Sequence, residues 1–208
     1  FELADRYRTP VYLLTDGAIG QMKEPVEFPD HVPPLPKKPW SLNAQAESNA
    51  NLISSIFLDG DELEAHNRHL QEKYARVVEN EVRFEEFHVG DAEIVTLGFG
   101  IVARVLRSAV ELLRKDGHKV GLLRPITLWP FPEKRIAELA ETGRIKRFIT
   151  AEMNDGQMVK DVRLAVLGRK PVDLYNRMGG NIMSVNEMVD VIKRLAGYEV
   201  GREHELHA

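Results

Sequence analysis

The chain has 208 residues, of which 43% are hydrophobic and 29% are charged, and its formal net charge is −4. This size predicts one ordinary globular domain with additional material, or two small domains. The acidic balance argues against a nucleic-acid surface, because binding a phosphate backbone requires clustered Lys and Arg. No apolar run approaches the roughly 20 residues needed to span a bilayer, so the sequence predicts a soluble chain.

The chain contains no cysteine. This excludes disulfides, iron–sulfur ligation and thiol catalysis by its own residues, so any such cluster has to belong to a partner. The sequence shows no signal-peptide features, which favours a cytoplasmic protein.

The first residues form a helix and a strand that lack a core of their own. FELADRYR has its apolar residues at helical spacing, and Thr9-Pro10 ends that helix. The next run, VYLLT at 11–15, has the composition of a buried strand. We therefore expect residues 1–29 to be the remnant of an upstream α/β domain that is cut from its body. The alternative is a small appendage packed on the main domain.

Residues 30–90 are predicted to contain a Pro-rich linker and a long charged helix. Six prolines lie between Glu24 and Asn51, and they bias the chain towards extended conformations. From Asp61 to about Glu86 the apolar residues fall on one helical stripe, with Asp59 or Asp61 available as the N-cap.

From 91 to 197 strands alternate with helices. The expected strands are Glu93–Leu97, Lys119–Leu123, Arg147–Ala151 and Val172–Tyr175, and the expected helices are Ile101–Lys115, Glu133–Glu141, Gly156–Leu167 and Asn186–Leu195. Such alternation predicts an α/β fold with an open, mostly parallel sheet and helices on both faces. Residues 198–208 form a polar tail that we expect to be frayed.

Gly98–Ala103 matches the G-x-G-x-x-A pattern between a predicted strand and its helix. Glycines permit a tight turn there, and a helix N-terminus attracts anions. A dinucleotide site also needs an acidic residue at the end of the second strand, where this chain has Arg124-Pro125. An arginine can accept a 2′-phosphate, so an NADP site stays an alternative. We favour a tight turn without a dinucleotide.

A polar cluster, Glu152, Asn154, Asp155 and Gln157, follows the third predicted strand. One interpretation is structural, with Asp155 as the N-cap of the next helix. The other is a contact surface on which the amides of Asn154 and Gln157 meet another domain or a ligand.

Arginines are expected at the same edge of the sheet, because the carboxyl ends of parallel strands lie together. Arg177 follows the fourth strand, Arg124 ends the second, and Arg104 lies near the start of the first helix. Arg104 and Arg124, with Gly98 and Gly100, are candidates for binding an anion. Arg177 joins Asn154 and Gln157 as an interface candidate.

The sequence offers no convincing catalytic set and no metal site. It contains no HExxH, no G-x-S-x-G, no Walker loop and no thiamine-diphosphate GDG…N motif. His66 and His69, and again His204 and His207, have the i, i+3 spacing that lets two histidines share a metal. A full site needs three or four ligands, so we interpret both pairs as solvated.

Five segments closely resemble the C-terminal part of the alpha subunit of the 2-oxoacid:ferredoxin oxidoreductases, most of all the 2-ketoisovalerate and 2-oxoglutarate types. They are RTPVYLLTDGAIGQMKEPVEFP, DELEAHNRHLQEKY, LLRPITLWPFP, AEMNDGQMVKDVRLAV and RMGGNIMSVNEM. They occur in the family's order and cover nearly the whole chain.

The resemblance implies a thiamine-diphosphate enzyme that oxidatively decarboxylates a 2-oxoacid, makes an acyl-CoA and passes electrons through iron–sulfur clusters to ferredoxin. It implies that residues 1–29 end a pyrimidine-binding domain and that residues 91–197 form a transketolase C-terminal-like domain. The glutamate that activates the cofactor is then expected before Phe1. Thiamine diphosphate and magnesium would belong to a beta subunit, and the clusters to iron–sulfur or gamma subunits.

We therefore expect an assembly and active-site-shaping part of an oligomeric enzyme, inactive and without bound cofactors when alone. The resemblance makes coenzyme A the anion that Gly98, Gly100, Arg104 and Arg124 would approach. Two alternatives stay open: a nucleotide-binding α/β module that uses Gly98–Ala103, and a structural assembly domain without a ligand.

Overall fold

In the computed structural model of the protein, the described residues are 1–31, 34 and 37–198. The predicted frayed tail beyond 198, with His204 and His207, lies outside the described residues. The chain divides into two compact units, one of Phe1–Gln21 and Arg76–Ala208, the other of Met22–Ala75. The predicted boundaries at 29, 90 and 197 stay a prediction.

The described residues form helices between Glu2 and Ala196 and strands between Phe84 and Asn176. The helices are α1 (Glu2–Tyr7), α2 (Gly17–Gln21), α3 (Gly60–Glu81), α4 (Gly100–Lys115), α5 (Glu133–Glu141), α6 (Met158–Val166) and α7 (Val185–Ala196), with a 3₁₀ turn at Ala46–Asn51. The strands are β1 (Phe84–Phe87), β2 (Ile94–Leu97), β3 (Val120–Pro125), β4 (Arg147–Glu152) and β5 (Val172–Asn176).

The five strands form one sheet in the order β1-β3-β2-β4-β5. Strands β2 to β5 are parallel, and β1 pairs antiparallel with β3 at one edge. The chain goes from β2 to β3 on one side and then to β4 on the other side of β2. The topological switch therefore lies between β2 and β4, where open α/β sheets place their sites. The predicted open, mostly parallel α/β sheet is confirmed.

Two apolar cores cover the faces of the sheet. Helices α4 and α7 pack on one face and α5 and α6 on the other. Neighbouring residues of β4 belong to different cores, since Phe148 packs with α5 and α6 whereas Ile149 packs with α4 and α7. A strand covered on both faces has to be apolar at successive positions, because side chains alternate between faces. Each such buried side chain contributes about 1.5–3 kcal/mol.

Two predicted elements are wrong. Residues 11–15 are not a strand in the structure, and Leu13 and Leu14 are 97% and 74% exposed. A strand requires a paired neighbour, and the described sheet does not include these residues. The long helix was also predicted to reach Glu86, but α3 ends at Glu81 and Phe84–Phe87 form β1. Pairing with β3 there overrides the local helical preference of glutamate.

Candidate functional site

A cleft of about 1140 Å³ lies in the first unit. The N-terminal segment between Leu3 and Ile19 forms one wall. The rest of the lining comes from the end of α3, from β1, from the end of β3 with the loop after it, and from the first two turns of α4. Three of the four predicted anion candidates, Gly100, Arg104 and Arg124, line this cleft together.

A carboxylate of the chain itself occupies the amino end of α4. Asp16 Oδ2 accepts a hydrogen bond from the backbone N–H of Ile101 at 2.8 Å, and Oδ1 accepts one from the N–H of Ile19 at 2.8 Å. The φ of Gly100 is +58°, and a Cβ at this position would lie 2.5 Å from Asp16 Oδ2. Gly100 is therefore required both for its left-handed backbone and for the close approach of Asp16.

Gly98 has a packing role. It is buried, and a Cβ there would lie 2.6 Å from Leu106 Cδ1 and 3.0 Å from Val102 Cγ1. The missing side chain lets α4 pack back on the end of β2. Both glycines of the fingerprint thus serve contacts within the chain, and this geometry argues against an anion at either glycine.

Neither NAD nor NADP is expected to bind at Gly98–Ala103. A pyrophosphate would have to displace Asp16 from the amide of Ile101, against the repulsion of like charges. Calorimetric titration of each dinucleotide into the chain should show no saturable binding with a Kd at or below about 100 μM, which corresponds to a binding free energy of about −5.5 kcal/mol. A saturable Kd in that range would contradict this assignment and favour the nucleotide-binding alternative.

The cleft is lined by charges of both signs, with one more carboxylate than arginine. Its lining contains three arginines and four carboxylates: Arg104, Arg107 and Arg124, and Asp16, Glu81, Glu85 and Glu86. Arg124 Nη1 lies 3.0 Å from Glu85 Oε2 across the β1–β3 pair. Both side chains are about half exposed, so this ion pair contributes at most about 1 kcal/mol. The guanidinium of Arg107 lies 4.2 Å from the centre of the Phe87 ring.

Glu81 anchors α1 at one end of the cleft. The residue is only 4% exposed, and it accepts hydrogen bonds from the Tyr7 hydroxyl at 2.8 Å, Arg6 at 3.0 Å and Arg83 at 3.3 Å. The Tyr7 hydrogen bond lowers the pKa of Glu81, burial opposes that shift, and both arginines add to it. The charged carboxylate therefore holds the N-terminal helix against the end of α3.

Glu152 ends β4 at the topological switch and is 1% exposed. Its carboxylate accepts hydrogen bonds from the backbone N–H groups of Gln157 at 3.1 Å, Met158 at 2.9 Å and Val159 at 2.8 Å. These donors begin α6, where the helix leaves N–H groups unpaired and the helix dipole favours negative charge. Glu152 therefore caps α6 from the strand that precedes it.

Of the two interpretations of the polar cluster, the one with Asp155 as the N-cap of α6 is not what the structure shows. Asp155 is exposed, and the side chain of Asn154 instead accepts from the N–H groups of Gly156 at 2.7 Å and Gln157 at 3.0 Å. Glu152 at the end of the strand and Asn154 in the loop therefore share the N–H groups at the start of α6.

A second cavity, of about 200 Å³, lies at the switch. Its lining comes from the β2–α4 turn, the loop after β3 and the start of α6: Phe99, Leu128, Phe131, Glu152, Gln157, Met158 and Asp161. Of the interface candidates, Gln157 lines this cavity and Asn154 is hydrogen-bonded to its backbone. The first cleft and this cavity share Phe99 and Leu128, so both belong to the carboxyl edge of the sheet.

Arg177 lies outside both linings. Its guanidinium contacts Glu187 Oε1 at 2.7 Å, and the Tyr175 hydroxyl donates to the same oxygen. Burial raises the pKa of Glu187, but the hydrogen bonds from Tyr175, the Ser184 amide and Arg177 outweigh it and lower that pKa. Arg177 therefore supports the start of α7, which Ser184 and Glu187 cap.

Sequence reasoning missed Asp16 and gave Glu152 no separate role. A weak signal existed for Asp16, since an Asp before Gly17 and a short apolar stretch is a typical N-cap. For Glu152 the signal is its place as the last residue of a buried strand. Neither pattern reveals the contact itself: Asp16 reaches α4, which is distant in sequence, and Glu152 reaches back across the loop to the start of α6.

The two histidines in the second unit, His66 and His69, contact aromatic rings. His66 stacks on Phe57 with ring centres 4.6 Å apart, and His69 lies 6.3 Å from His66. Across 1–31, 34 and 37–198, no group of three or more His, Cys, Asp or Glu residues is placed to hold a metal ion. Within the same ranges, none of the helices combines the length and apolar character that crossing a bilayer requires.

Comparison with known proteins identifies the family. Residues 92–188 match the family described as pyruvate:ferredoxin oxidoreductase core domain II. The ketoisovalerate oxidoreductase subunit VorB of Methanothermobacter thermautotrophicus is 54% identical over 198 residues, which are 95% of this chain and 55% of that protein. The chain belongs to the family of 2-oxoacid:ferredoxin oxidoreductase subunits. The resemblance carried by the five sequence segments is thereby confirmed.

Other 2-oxoacid:ferredoxin oxidoreductase subunits are more distant. The 2-oxoglutarate synthase subunit KorA of Methanothermobacter marburgensis is 28% identical over 219 residues, covering 92% of this chain and 58% of that protein. The chain thus spans between half and two thirds of the length of these relatives.

A solved structure supports the fold. The 2-oxoglutarate:ferredoxin oxidoreductase from Magnetococcus marinus, determined with 2-oxoglutarate, coenzyme A and succinyl-CoA bound, matches with a TM-score of 0.58 and 24% identity. The match covers 66% of this chain and 24% of that chain. At this identity it shows a common fold.

Proposed function

We propose that the chain is part of a subunit of a ketoisovalerate-type 2-oxoacid:ferredoxin oxidoreductase, in which it serves assembly and shapes the active site. The observation that carries this proposal is the 54% identity to a ketoisovalerate oxidoreductase subunit over 95% of the chain. The complete enzyme would decarboxylate a 2-oxoacid oxidatively, form an acyl-CoA and pass electrons to ferredoxin in the cytoplasm.

The donor chemistry of this chain does not fit the resident cofactors of such an enzyme. Without cysteine, the chain cannot ligate an iron–sulfur cluster through thiolates. Its sequence also lacks the GDG…N motif for thiamine diphosphate and magnesium, and its described residues provide no group of three metal ligands. We therefore assign thiamine diphosphate and magnesium to a beta subunit and the clusters to iron–sulfur or gamma subunits.

We propose that residues 1–29 complete a pyrimidine-binding domain together with residues outside this chain, and that 91–197 form a transketolase C-terminal-like domain. The support is an apolar strip, Val11–Leu14, which has the composition of a buried strand. Tyr12 is 82% and Leu13 97% exposed. Burying one leucine fully contributes about 1.5–3 kcal/mol, so this strip gains stability when another part of the enzyme covers it.

The carboxyl edge of the sheet is the proposed approach for coenzyme A. Arg104 and Arg124 line the same cleft of 1140 Å³. The ion pair between Arg124 and Glu85 is exposed, so Arg124 can bind a phosphate in place of Glu85 at a small cost in free energy. Asn154, Gln157 and Arg177 follow β4 and β5 at this edge, and we propose that they face a neighbouring domain or subunit.

The purified chain is expected to show no oxidoreductase activity by itself, because it carries no cluster ligands and no diphosphate motif. The test mixes it with thiamine diphosphate, magnesium, coenzyme A, ketoisovalerate and a viologen dye. The complete enzyme in the same mixture is the control and should reduce the dye. Dye reduction by the chain alone would contradict the proposed role as an assembly part.

A further inference from the structure

We propose that Gly100 and Ile101 of the glycine-rich turn form a socket for the carboxylate of Asp16, and that Asp16 is the positioning residue which holds the N-terminal segment along the cleft. The importance of this contact for assembly rests on the proposed function. The contact itself is a property of the chain and can be measured without any partner.

The Asp16 carboxylate connects two helices. One oxygen accepts the N–H of Ile19 in α2 and the other accepts the N–H of Ile101 in α4, each at 2.8 Å. Both donors lie in first helical turns, where N–H groups lack helical partners and the dipole favours a negative charge. One side chain thus accepts one N–H at the start of each helix and ties the N-terminal segment to α4.

Because residue 100 is a glycine, the Asp16 carboxylate can approach the backbone at the start of α4 closely. A Cβ at that position would lie 2.5 Å from Asp16 Oδ2, and the φ of +58° disfavours other residues. In nucleotide-binding turns a glycine admits a phosphate to the backbone. In this chain the glycine admits the chain's own carboxylate, which explains why the fingerprint is present without requiring a nucleotide.

The N-terminal segment has two anchors with the apolar strip between them. At one end Tyr7 donates to the buried Glu81 at 2.8 Å, and at the other end Asp16 occupies the start of α4. Val11–Leu14 lie between the anchors and remain exposed. Asp16 therefore fixes the position from which the strip meets its partner.

Hydrogen exchange of the Ile101 amide in the 208-residue chain tests the socket. Asp16→Ala should accelerate this exchange about tenfold or more, the factor expected for losing a hydrogen bond to a charged acceptor, and leave exchange in β2 and β4 unchanged. Asp16→Asn, which keeps an acceptor oxygen, should have a smaller effect and serves if the alanine variant fails to fold. Asp155→Ala, which removes an exposed charge, is the matched control and should have none.

A double-mutant cycle with Gly100→Ala separates the socket from general destabilisation. Asp16→Ala and Gly100→Ala break the same contact, so their effects on Ile101 exchange should be less than additive. Backbone strain at position 100 occurs in both backgrounds and cancels. Gly90→Ala is the control, because a Cβ at Gly90 has no atom within 4 Å. Its effect on Ile101 exchange should simply add to that of Asp16→Ala.

Unchanged Ile101 exchange in Asp16→Ala, or additive effects of the two socket variants, would overturn the proposal. Either outcome leaves the proposed function standing, because that is tested by activity of the complete enzyme. Conversely, if the two socket variants are coupled but the complete enzyme does not oxidise ketoisovalerate, the socket is retained and the proposed function is refuted.

Discussion

Glu152→Ala is expected to lower the free energy of unfolding by about 2–4 kcal/mol, a large effect for one substitution. The carboxylate is buried and accepts three backbone hydrogen bonds at the start of α6. Alanine leaves the N–H groups of Met158 and Val159 without this acceptor, while that of Gln157 keeps Asn154, and water from the adjacent cavity of about 200 Å³ can replace the carboxylate only in part. Denaturant titration followed by circular dichroism measures the loss.

Two further variants make this result specific. Glu152→Gln keeps the shape but puts an amide NH₂ where a second acceptor is needed, so its loss should be intermediate. Asp155→Ala, three residues away and exposed, should change the free energy of unfolding by no more than about 0.5 kcal/mol. Equal stability of the Glu152→Ala and Asp155→Ala variants would show that the carboxylate is not the cap of α6.

The isolated chain is expected to self-associate through the apolar strip, and the double substitution Leu13→Asp/Leu14→Asp should abolish that association. Both leucines are exposed next to Tyr12, which is 82% exposed, and contiguous exposed apolar residues mark interaction surfaces. Two carboxylates there would repel a second copy and oppose burial. Sedimentation velocity across a concentration series measures the change.

Leu164→Asp is the matched control for the strip. Leu164 lies on α6 and is 65% exposed, so it tests whether any exposed leucine drives association. We expect this variant to associate as the unchanged chain does. A chain that stays monomeric at high concentration before any substitution would refute the role of the strip.

The alternating part of the fold could be predicted because its signals are local and strong. Strand β4 contains the apolar residues Phe148, Ile149 and Ala151 and is followed by a helix with a clear apolar face, so its type and place follow from the pattern. The edge strand β1 could not be predicted in this way. Its sequence, FEEF, has no buried run, and its strand conformation depends on pairing with β3, which is distant in sequence.

The candidate site was predictable only in its location. The sequence placed Gly100, Arg104 and Arg124 at one edge, and the structure brings them to one cleft. It did not reveal that Asp16 fills the amino end of α4, because that contact joins residues separated by 85 positions. The strip Val11–Leu14 shows the opposite case, in which composition predicts burial that this chain does not provide.

We propose that the exposed apolar strip of this chain is covered in the complete 2-oxoacid:ferredoxin oxidoreductase. Hydrogen exchange of residues 11–14, compared between the isolated chain and the assembled enzyme active on ketoisovalerate, measures this coverage. We expect fast exchange of the Leu13 and Leu14 amides in the isolated chain and strong protection in the enzyme. Equally fast exchange in both would contradict it.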